Sequence, residues 1–281
     1  MAIQTDIQSA DVVCDKQGRR YHIDLAPGEL AEYIVLVGEA KRAERAAKLL
    51  TDIRIERYNR EYHTFTGRYK GLEISIMSTG MGPGCTEIGV IEIFQITKNP
   101  TLLRVGTCGS LQPKMEVGDL IISTGAVRLE DTSTYFVHEG YPAIANHEAV
   151  LALTMAADKL DIKYHLGITA TGSGFYGAQG RDIPGIHIRY PNLPDELAKM
   201  NVANFEMEAS TLFTLCAMKG CRASAICTAV ANRYKKTFIS NEQKSAKEKI
   251  ALTAGLDALL ILAKMDKAKT AKNKKYWIPD L

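Results

Sequence analysis

Residues 101–112 read TLLRVGTCGSLQ, an apolar run that meets Arg104 and ends in small residues. The run predicts a short buried strand over 102–106 that stops in a small-residue loop. In that loop glycine lets the backbone approach a ligand, Thr107 offers a hydroxyl, and the Arg104 guanidinium offers planar donors suited to phosphate. Ligands of open α/β sheets bind beyond the carboxyl ends of strands. The stretch therefore predicts an α/β fold with half of a phosphate site; the alternative is an ordinary strand end with a structural ion pair.

Strands and helices alternate along the rest of the chain. We predict further strands over 32–37, 63–69, 72–78, 119–126, 165–171, 202–207 and 222–231, and helices over 39–50, 86–96, 148–159, 209–218 and 240–262. Ser240 followed by Gln243 is the pattern of a helix capping box. This alternation predicts one α/β domain with a mostly parallel or mixed sheet.

The ends of the chain differ from this patterned part. Residues 1–20 are polar and unpatterned, and 264–281 are rich in lysine. No linker rich in Pro, Gly and Ser divides the stretch between them. We therefore predict an N-terminal extension over 1–20, one domain over 21–263 and a solvated basic tail over 264–281.

Composition excludes several classes of protein. The net charge is only +3 and no basic stripe interleaved with aromatics is present, which argues against nucleic acid as the main partner. None of the six cysteines forms a CxxC pair, so we expect no zinc site. The polar start and the lack of an apolar run of about 18 residues predict a protein without leader or membrane span. Free thiols then favour the cytoplasm.

Three other predicted strand ends carry residues that suit a ligand. Gly38 leads into a helix whose first turn carries Arg42, and helix N-termini attract anions; the alternative is a solvated arginine. Residues 175–181 (FYGAQGR) combine a ring, an amide and a guanidinium, which suit a planar heterocycle; the alternative is a surface loop. Residues 204–208 (NFEME) place two carboxylates beside apolar sequence, suited to a ribose diol; the alternative is a favourable charge at a helix N-terminus.

Six segments in order resemble the nucleoside phosphorylase family, and within it the members that cleave uridine. They are VGEAKR (37–42), NREYHTF (59–65), LLRVGTCGSLQP (102–113), GSGFYGAQGR (172–181), ANFEMEAS (203–210) and AVANR (229–233). Any one segment is a weak signal, but six in family order are specific. The resemblance implies a single-domain three-layer α/β sandwich around a central mixed sheet, and homo-oligomers, dimers or hexamers, whose sites are shared between subunits.

The resemblance also implies roles for individual residues. Those that bind phosphate would be Gly38, Arg42, Arg60, Arg104 and Thr107, with Arg60 reaching the site of a neighbouring subunit. Those that bind ribose would be His22 (also from the neighbour, at the 5′-hydroxyl), Thr107, Glu206, Met207 and Glu208. Those that bind the base would be Cys108, Gly109, Phe175, Gln179, Arg181 and Arg233. Within these sets Arg42, Arg104, Thr107, Gln179 and Arg181 would carry catalysis.

The chain departs from the family pattern at three places. Cys108 stands where bacterial relatives usually carry threonine, next to the base. Cys85 stands near a serine that such relatives offer to a monovalent cation, so a K⁺ site near Glu61 is an open expectation. No other metal or cofactor is expected. The span between Arg181 and Asn204 is also unlike the bacterial pattern, so we expect access to the base pocket to differ from that of bacterial relatives.

The activity implied is reversible phosphorolysis of uridine to uracil and ribose 1-phosphate. Purine-cleaving relatives place an aspartate near Ala231-Asn232, and its absence here favours a pyrimidine. Three alternatives stay open: a purine or broad-specificity phosphorylase, a nucleosidase that uses water, and a non-catalytic nucleoside-binding member of the fold. The phosphate-binding arginines argue against the second, and the complete set of arginines, glutamine and glutamate argues against the third.

Overall fold

The computed structural model describes residues 11–279, in which eleven strands and six α-helices follow one another. The strands are β1 (Tyr33–Val37), β2 (Thr51–Asn59), β3 (Tyr62–Tyr69), β4 (Leu72–Ser78), β5 (Thr101–Ser110), β6 (Leu120–Leu129), β7 (Ala143–Ile144), β8 (Tyr164–Gly172), β9 (Asn204–Glu206), β10 (Arg222–Asn232) and β11 (Thr237–Phe238). The helices are α1 (Ala40–Ala47), α2 (Pro83–Ile96), α3 (His147–Lys159), α4 (Leu193–Lys199), α5 (Ala209–Lys219) and α6 (Asn241–Ala271).

The strands form one mixed sheet in the order β11-β10-β6-β8-β9-β5-β1-β4-β3-β2, with β7 on β6 and an additional β10–β5 pairing. Strand β1 runs parallel to both β4 and β5, and β5 runs parallel to β10. The carboxyl ends of these four strands therefore meet at one edge, where ligands of α/β sheets bind. The pairings among β10, β6, β8, β9 and β5 close into a ring beside that edge.

Helices cover both faces of the sheet, because its inner strands carry apolar side chains on both faces. On β1, Val35 and Val37 pack with α1, α3 and α6, whereas Ile34 and Leu36 pack with α2 and α5. Burial on both faces is typical of parallel strands. The predicted three-layer α/β sandwich with a central mixed sheet is confirmed.

The predicted end of β5 is wrong. The strand does not stop at residue 106 but continues to Ser110, because β10 pairs with it through Asn232 and β9 pairs with its last residues. Glycines within it permit close packing: a side chain at Gly106 would lie 2.9 Å from the Arg104 guanidinium. The small residues therefore line a strand that enters the site, and no loop begins there.

The C-terminal end of the last helix, and with it the end of the predicted domain, also differs from the prediction. Helix α6 begins after Ser240, whose side chain caps it by accepting from the backbone of Gln243, and it runs to residue 271 instead of 262. Met265 is buried in the core, and Asp266 pairs with Arg222. Residues 264–271 thus belong to the packed fold, because apolar and paired charged residues continue the helix through the lysine-rich sequence.

Strand β2 was not predicted because its side chains are mostly exposed and it pairs only with β3, so no buried alternation marks it.

Of the predicted N-terminal extension, residues 1–10 lie outside the described part; within the rest, Arg19 pairs with Glu29 at 2.8 Å. Over residues 11–279, no helix combines the length and the apolarity that crossing a bilayer requires.

Candidate active site

A cleft of about 290 Å³ opens at the carboxyl edge of the sheet and brings together most of the predicted site residues. The predicted residues that line it are Gly38, Arg42, Arg104, Thr107, Cys108, Gly109, Phe175, Gln179, Arg181, Glu206, Met207 and Glu208. They come from loops and strands far apart in the sequence. Three predicted residues, His22, Arg60 and Arg233, are not among those that line the cleft.

One end of the cleft is positively charged. Both Arg42 and Arg104 are buried, and each places an Nη1 atom within 4.0 Å of the position that a Cβ would take on Gly38. Nη1 of Arg104 is buried without a hydrogen-bond partner, as is Nε of Arg42. Unpartnered buried donors cost free energy unless an acceptor meets them. Two guanidinium groups with free donors beside a glycine backbone therefore form a candidate anion site.

Glu248 of α6 holds Arg42 at this end. Its Oε1 accepts from Nη2 of Arg42 at 2.8 Å, and its Oε2 accepts from Nη2 of Arg45 at 2.9 Å. Lys244, one turn earlier on α6, lines the cleft and lies 3.8 Å from the same carboxylate. The sequence-based prediction missed Lys244 and Glu248, because only the packing of α6 on the sheet brings them to the site.

Two buried carboxylates share Arg104 in the middle of the cleft. Nη2 of Arg104 donates to Glu208, and Nε donates to Glu206 at 3.3 Å. Burial lowers the pKa of Arg104, but the two carboxylates outweigh it and raise that pKa above its usual value. Burial also raises the pKa of Glu206, with Glu208 adding to the effect. A single guanidinium thus compensates two acidic groups.

The two carboxylates differ in their remaining partners. Glu206 accepts from the Thr171 hydroxyl at 2.6 Å and from the backbone of residues 208 and 209 at 2.8 Å each, which holds the start of α5. Glu208 accepts from the backbone of Gly82 at 2.8 Å and of Met207 at 3.1 Å, which with Arg104 makes three donors. Since Glu206 already has four donors, the geometry favours Glu208 as the acceptor for a ligand hydroxyl and Glu206 as the group that orients its neighbours.

The other end of the cleft carries the ring, amide and guanidinium of the 175–181 segment. The guanidinium of Arg181 lies 3.8 Å from the Phe175 ring centroid, and its Nη2 donates to Oε1 of Gln179 at 3.4 Å. Arg233 donates to the Gln179 backbone carbonyl at 3.2 Å, which places it behind this segment. Burial, together with the charge of Arg233, lowers the pKa of Arg181 to about 10. Arg181 therefore remains cationic at neutral pH.

Strand β5 supplies the floor of the cleft. Cys108 and Gly109 line it from buried positions, whereas Thr107 is the one residue of β5 that is not fully buried. Burial and the neighbouring Cys227 raise the pKa of the Cys108 thiol well above its usual value, so the thiol stays neutral. Cleft residues missed by the sequence-based prediction include Met81, Val230 and Phe238, apolar side chains that no motif distinguishes from core.

His22 and Arg60 lie together, away from the cleft of their own chain. Arg60 lies 5.4 Å from the Tyr21 ring centroid, and the Tyr21 ring meets the His22 ring edge-on at 4.9 Å. The Asn59 amide donates to the backbone carbonyls of Tyr21 and His22. Two residues predicted to act on a neighbouring subunit thus form one surface cluster.

Near Glu61, Cys85 offers a thiol where a monovalent cation would need an oxygen ligand. Burial raises the pKa of the Cys85 thiol, and Glu61 adds to the effect, so a neutral thiol stands beside this carboxylate. A thiol is a soft donor, whereas hard cations prefer oxygen ligands. Over residues 11–279 no group of three or more His, Cys, Asp or Glu side chains is placed to hold a metal.

Comparison with known proteins agrees with this geometry. The chain is 42% identical to a uridine phosphorylase of Thermococcus kodakarensis, over 97% of each chain. It is 34% identical to a guanosine phosphorylase of Halorubrum lacusprofundi, over 80% of this chain and 86% of that protein. Its fold matches a crystal structure of a Trypanosoma brucei nucleoside phosphorylase, described as showing uridine phosphorylase activity, with a TM-score of 0.85, 27% identity and coverage of 89% of this chain and 99% of that one. Because residues 32–260 also match the model of the Phosphorylase superfamily, the chain belongs to that superfamily.

Proposed function

We propose that the protein catalyses the reversible phosphorolysis of uridine to uracil and ribose 1-phosphate. The observation that carries the proposal is one cleft with two unlike ends: buried guanidinium donors of Arg42 and Arg104 at Gly38, and the Gln179–Arg181 pair beside Phe175. The first end suits phosphate and the second a planar base with carbonyl edges. Relatives named as uridine phosphorylases support this assignment.

The chemistry follows from the charges at the two ends. Cleavage of the glycosidic bond develops positive charge on the ribose, as in glycosyl transfer generally. Phosphate held by Arg42 and Arg104 would attack the anomeric carbon and compensate that charge, with Thr107 adding a hydroxyl donor. Glu208 would accept from ribose hydroxyls and Met207 would pack on the sugar.

The electron pair of the broken bond goes to the base. Gln179 and Arg181 would stabilise the uracil anion as it forms, through donors already in place. Asn232 is fully buried and donates to the backbone carbonyls of Gln112 and Met115, so it supplies no acid for a purine ring. These features support a pyrimidine substrate.

The proposal includes a homo-oligomer with shared sites, a dimer or hexamer. His22 and Arg60 lie together outside the cleft of their own chain, which suits a role at the cleft of a neighbouring copy. Oligomers of this kind are usually symmetric, so each copy would both give and receive these residues. The proposal also places the enzyme in the cytoplasm, since all six cysteines are free thiols.

A substrate assay tests the function. Purified protein is incubated with uridine, inosine or guanosine, each with and without phosphate, and base release is followed by ultraviolet absorbance. We expect rapid release of uracil only with phosphate. Uracil release without phosphate would indicate a nucleosidase, and no release from any nucleoside would favour a binding protein.

A purine nucleoside phosphorylase is the second candidate. The 34% identical guanosine phosphorylase favours keeping it, because the family accommodates both base classes. Phosphate-dependent cleavage of inosine or guanosine at a rate similar to that of uridine would replace the pyrimidine assignment.

A further inference from the structure

A buried carboxylate holds the segment that carries His22. Glu92 lies on α2, is 7% exposed, and accepts from the His22 backbone at 3.1 Å and from the Ile23 backbone at 2.9 Å. Its Oε1 also lies 2.6 Å from Nδ1 of the His22 ring. One side chain thus fixes both the backbone and the ring of this residue.

The contact determines which ring nitrogen carries the proton. An ionised carboxylate only accepts hydrogen bonds, so Nδ1 must be the donor. In a neutral imidazole the other nitrogen, Nε2, then presents a lone pair. Within residues 11–279 Nε2 of His22 has no hydrogen-bond partner, and the side chain is 32% exposed. Nε2 of His22 is therefore available to accept a hydrogen bond from a group outside this chain.

We infer that Glu92 is a positioning residue, which holds His22 as the Nδ1–H tautomer so that Nε2 accepts the hydrogen bond of the ribose 5′-hydroxyl in the neighbouring copy's cleft. The inference rests on the proposed function, in which His22 acts on a neighbour. A carboxylate behind a histidine commonly sets its tautomer and orientation in this way. The other tautomer would present an N–H, which cannot accept from a hydroxyl.

The test compares uridine with 5′-deoxyuridine, which lacks the hydroxyl. In Glu92→Gln one acceptor oxygen becomes an NH₂ group, so the amide no longer enforces the Nδ1–H tautomer. We expect kcat/KM for uridine to fall about tenfold, the loss of one good hydrogen bond, and that for 5′-deoxyuridine to change less than about twofold. The matched control is Glu87→Gln on the same helix, which removes a carboxylate near His22 that makes no hydrogen bond to it; it should leave both values within about twofold.

A double-mutant cycle locates the effect. His22→Ala should lose activity on uridine selectively, and adding Glu92→Gln to it should cause no further loss, because coupled residues are non-additive. A loss from Glu92→Gln that is equal for both substrates, or that persists in the His22→Ala background, would overturn the inference.

The tautomer itself is measurable without activity. In the ¹⁵N spectrum of the labelled full-length protein, Nε2 of His22 should show the shift of an unprotonated nitrogen, and Glu92→Gln should move it towards the protonated value. A protonated Nε2 in the neutral wild-type ring would contradict the inference even if uridine is cleaved. Wild-type protein that cleaves no uridine with phosphate would instead overturn the proposed function, and the substrate role of His22 with it.

Discussion

At the scale of single residues, Arg104 has two tasks. It compensates Glu206 and Glu208 inside the protein, and it leaves Nη1 as a free buried donor in the cleft. Its removal would leave two buried carboxylates unpaired, which typically costs about 3–5 kcal/mol. Arg104→Ala would therefore lose stability along with phosphate binding.

Arg104→Lys separates these tasks. Lysine keeps the positive charge but lacks the planar fork that serves the carboxylates and an anion together. We expect KM for phosphate to rise about 10–100-fold with a smaller change in KM for uridine, since hydrogen bonds to charged groups are worth about 1.5–3 kcal/mol. Steady-state kinetics with each substrate varied measure this split; an unchanged dependence on phosphate would remove Arg104 from the phosphate site.

Arg181 is expected to act on the leaving base. Arg181→Ala should lower kcat for uridine about 100-fold or more, because a preorganised donor to the developing anion is lost. The fold should survive, since the side chain is only part-buried. Arg189→Ala is the matched control, an exposed arginine a little further along the chain, and should leave uridine turnover unchanged. Full activity of Arg181→Ala would contradict the base assignment.

At the scale of elements, α6 connects the site to the far side of the fold. Its first turns bring Lys244 and Glu248 to the positively charged end of the cleft, and its last turns pair with β10 through Asp266 and Arg222, at 2.6 Å. The Arg222 and Tyr33 side chains donate to Asp266, and these bonds outweigh burial and lower the pKa of Asp266 to about 2.

Asp266→Asn should therefore lower the free energy of unfolding at pH 7, by about 1–2 kcal/mol after allowance for partial exposure. Because the folded pKa is depressed, this stabilisation is present above the unfolded value of 3.8 and is lost as pH falls through about 2. Urea unfolding at pH 7 and at pH 3 should show the difference from wild type shrinking in acid. Asp158→Asn, at an exposed position on α3, is the control, with a change under about 0.5 kcal/mol.

At the scale of the whole molecule, the proposed site is incomplete within one copy. The cleft lies at the carboxyl edge of β1, β5 and β10, whereas His22 and Arg60 lie together elsewhere on the same chain. Both are held in place within the chain, His22 by Glu92 and Arg60 by the Tyr21 ring. Such preformed groups suit the edge of a symmetric interface.

Subunit mixing tests this arrangement. A His22→Ala/Arg60→Ala chain and an Arg181→Ala chain, each nearly inactive alone, should together recover about a quarter of wild-type activity, because half of the pairs are mixed and each holds one intact site. Mixing Gln179→Ala with Arg181→Ala, two defects in the same cleft, should recover nothing. Equal results from the two mixtures would show that the sites are not shared.

The sequence by itself determined the α/β class, the positions of most inner strands and the segments that line the cleft. Apolar runs bounded by glycine mark buried strands wherever burial on both faces leaves a local pattern, as at Tyr33–Val37 and Arg222–Asn232. Prediction from the sequence missed β2, whose exposed side chains carry no such pattern, and placed the end of β5 too early, because pairing with β10 extends that strand. The sequence beyond residue 264 is rich in lysine and predicts a solvated tail, whereas α6 continues there to residue 271.

Only the tertiary structure decided which groups meet. Nothing local to Lys244, Glu248 or Phe238 marks them as neighbours of the cleft, since their position depends on how α6 and the segment before it pack on the sheet. Nor does the sequence around His22 point to Glu92, seventy positions away, as its partner. Local patterns report the burial of a residue, whereas hydrogen bonds between distant segments form only after the chain has folded; for that reason the partners of the site residues are determined by the fold.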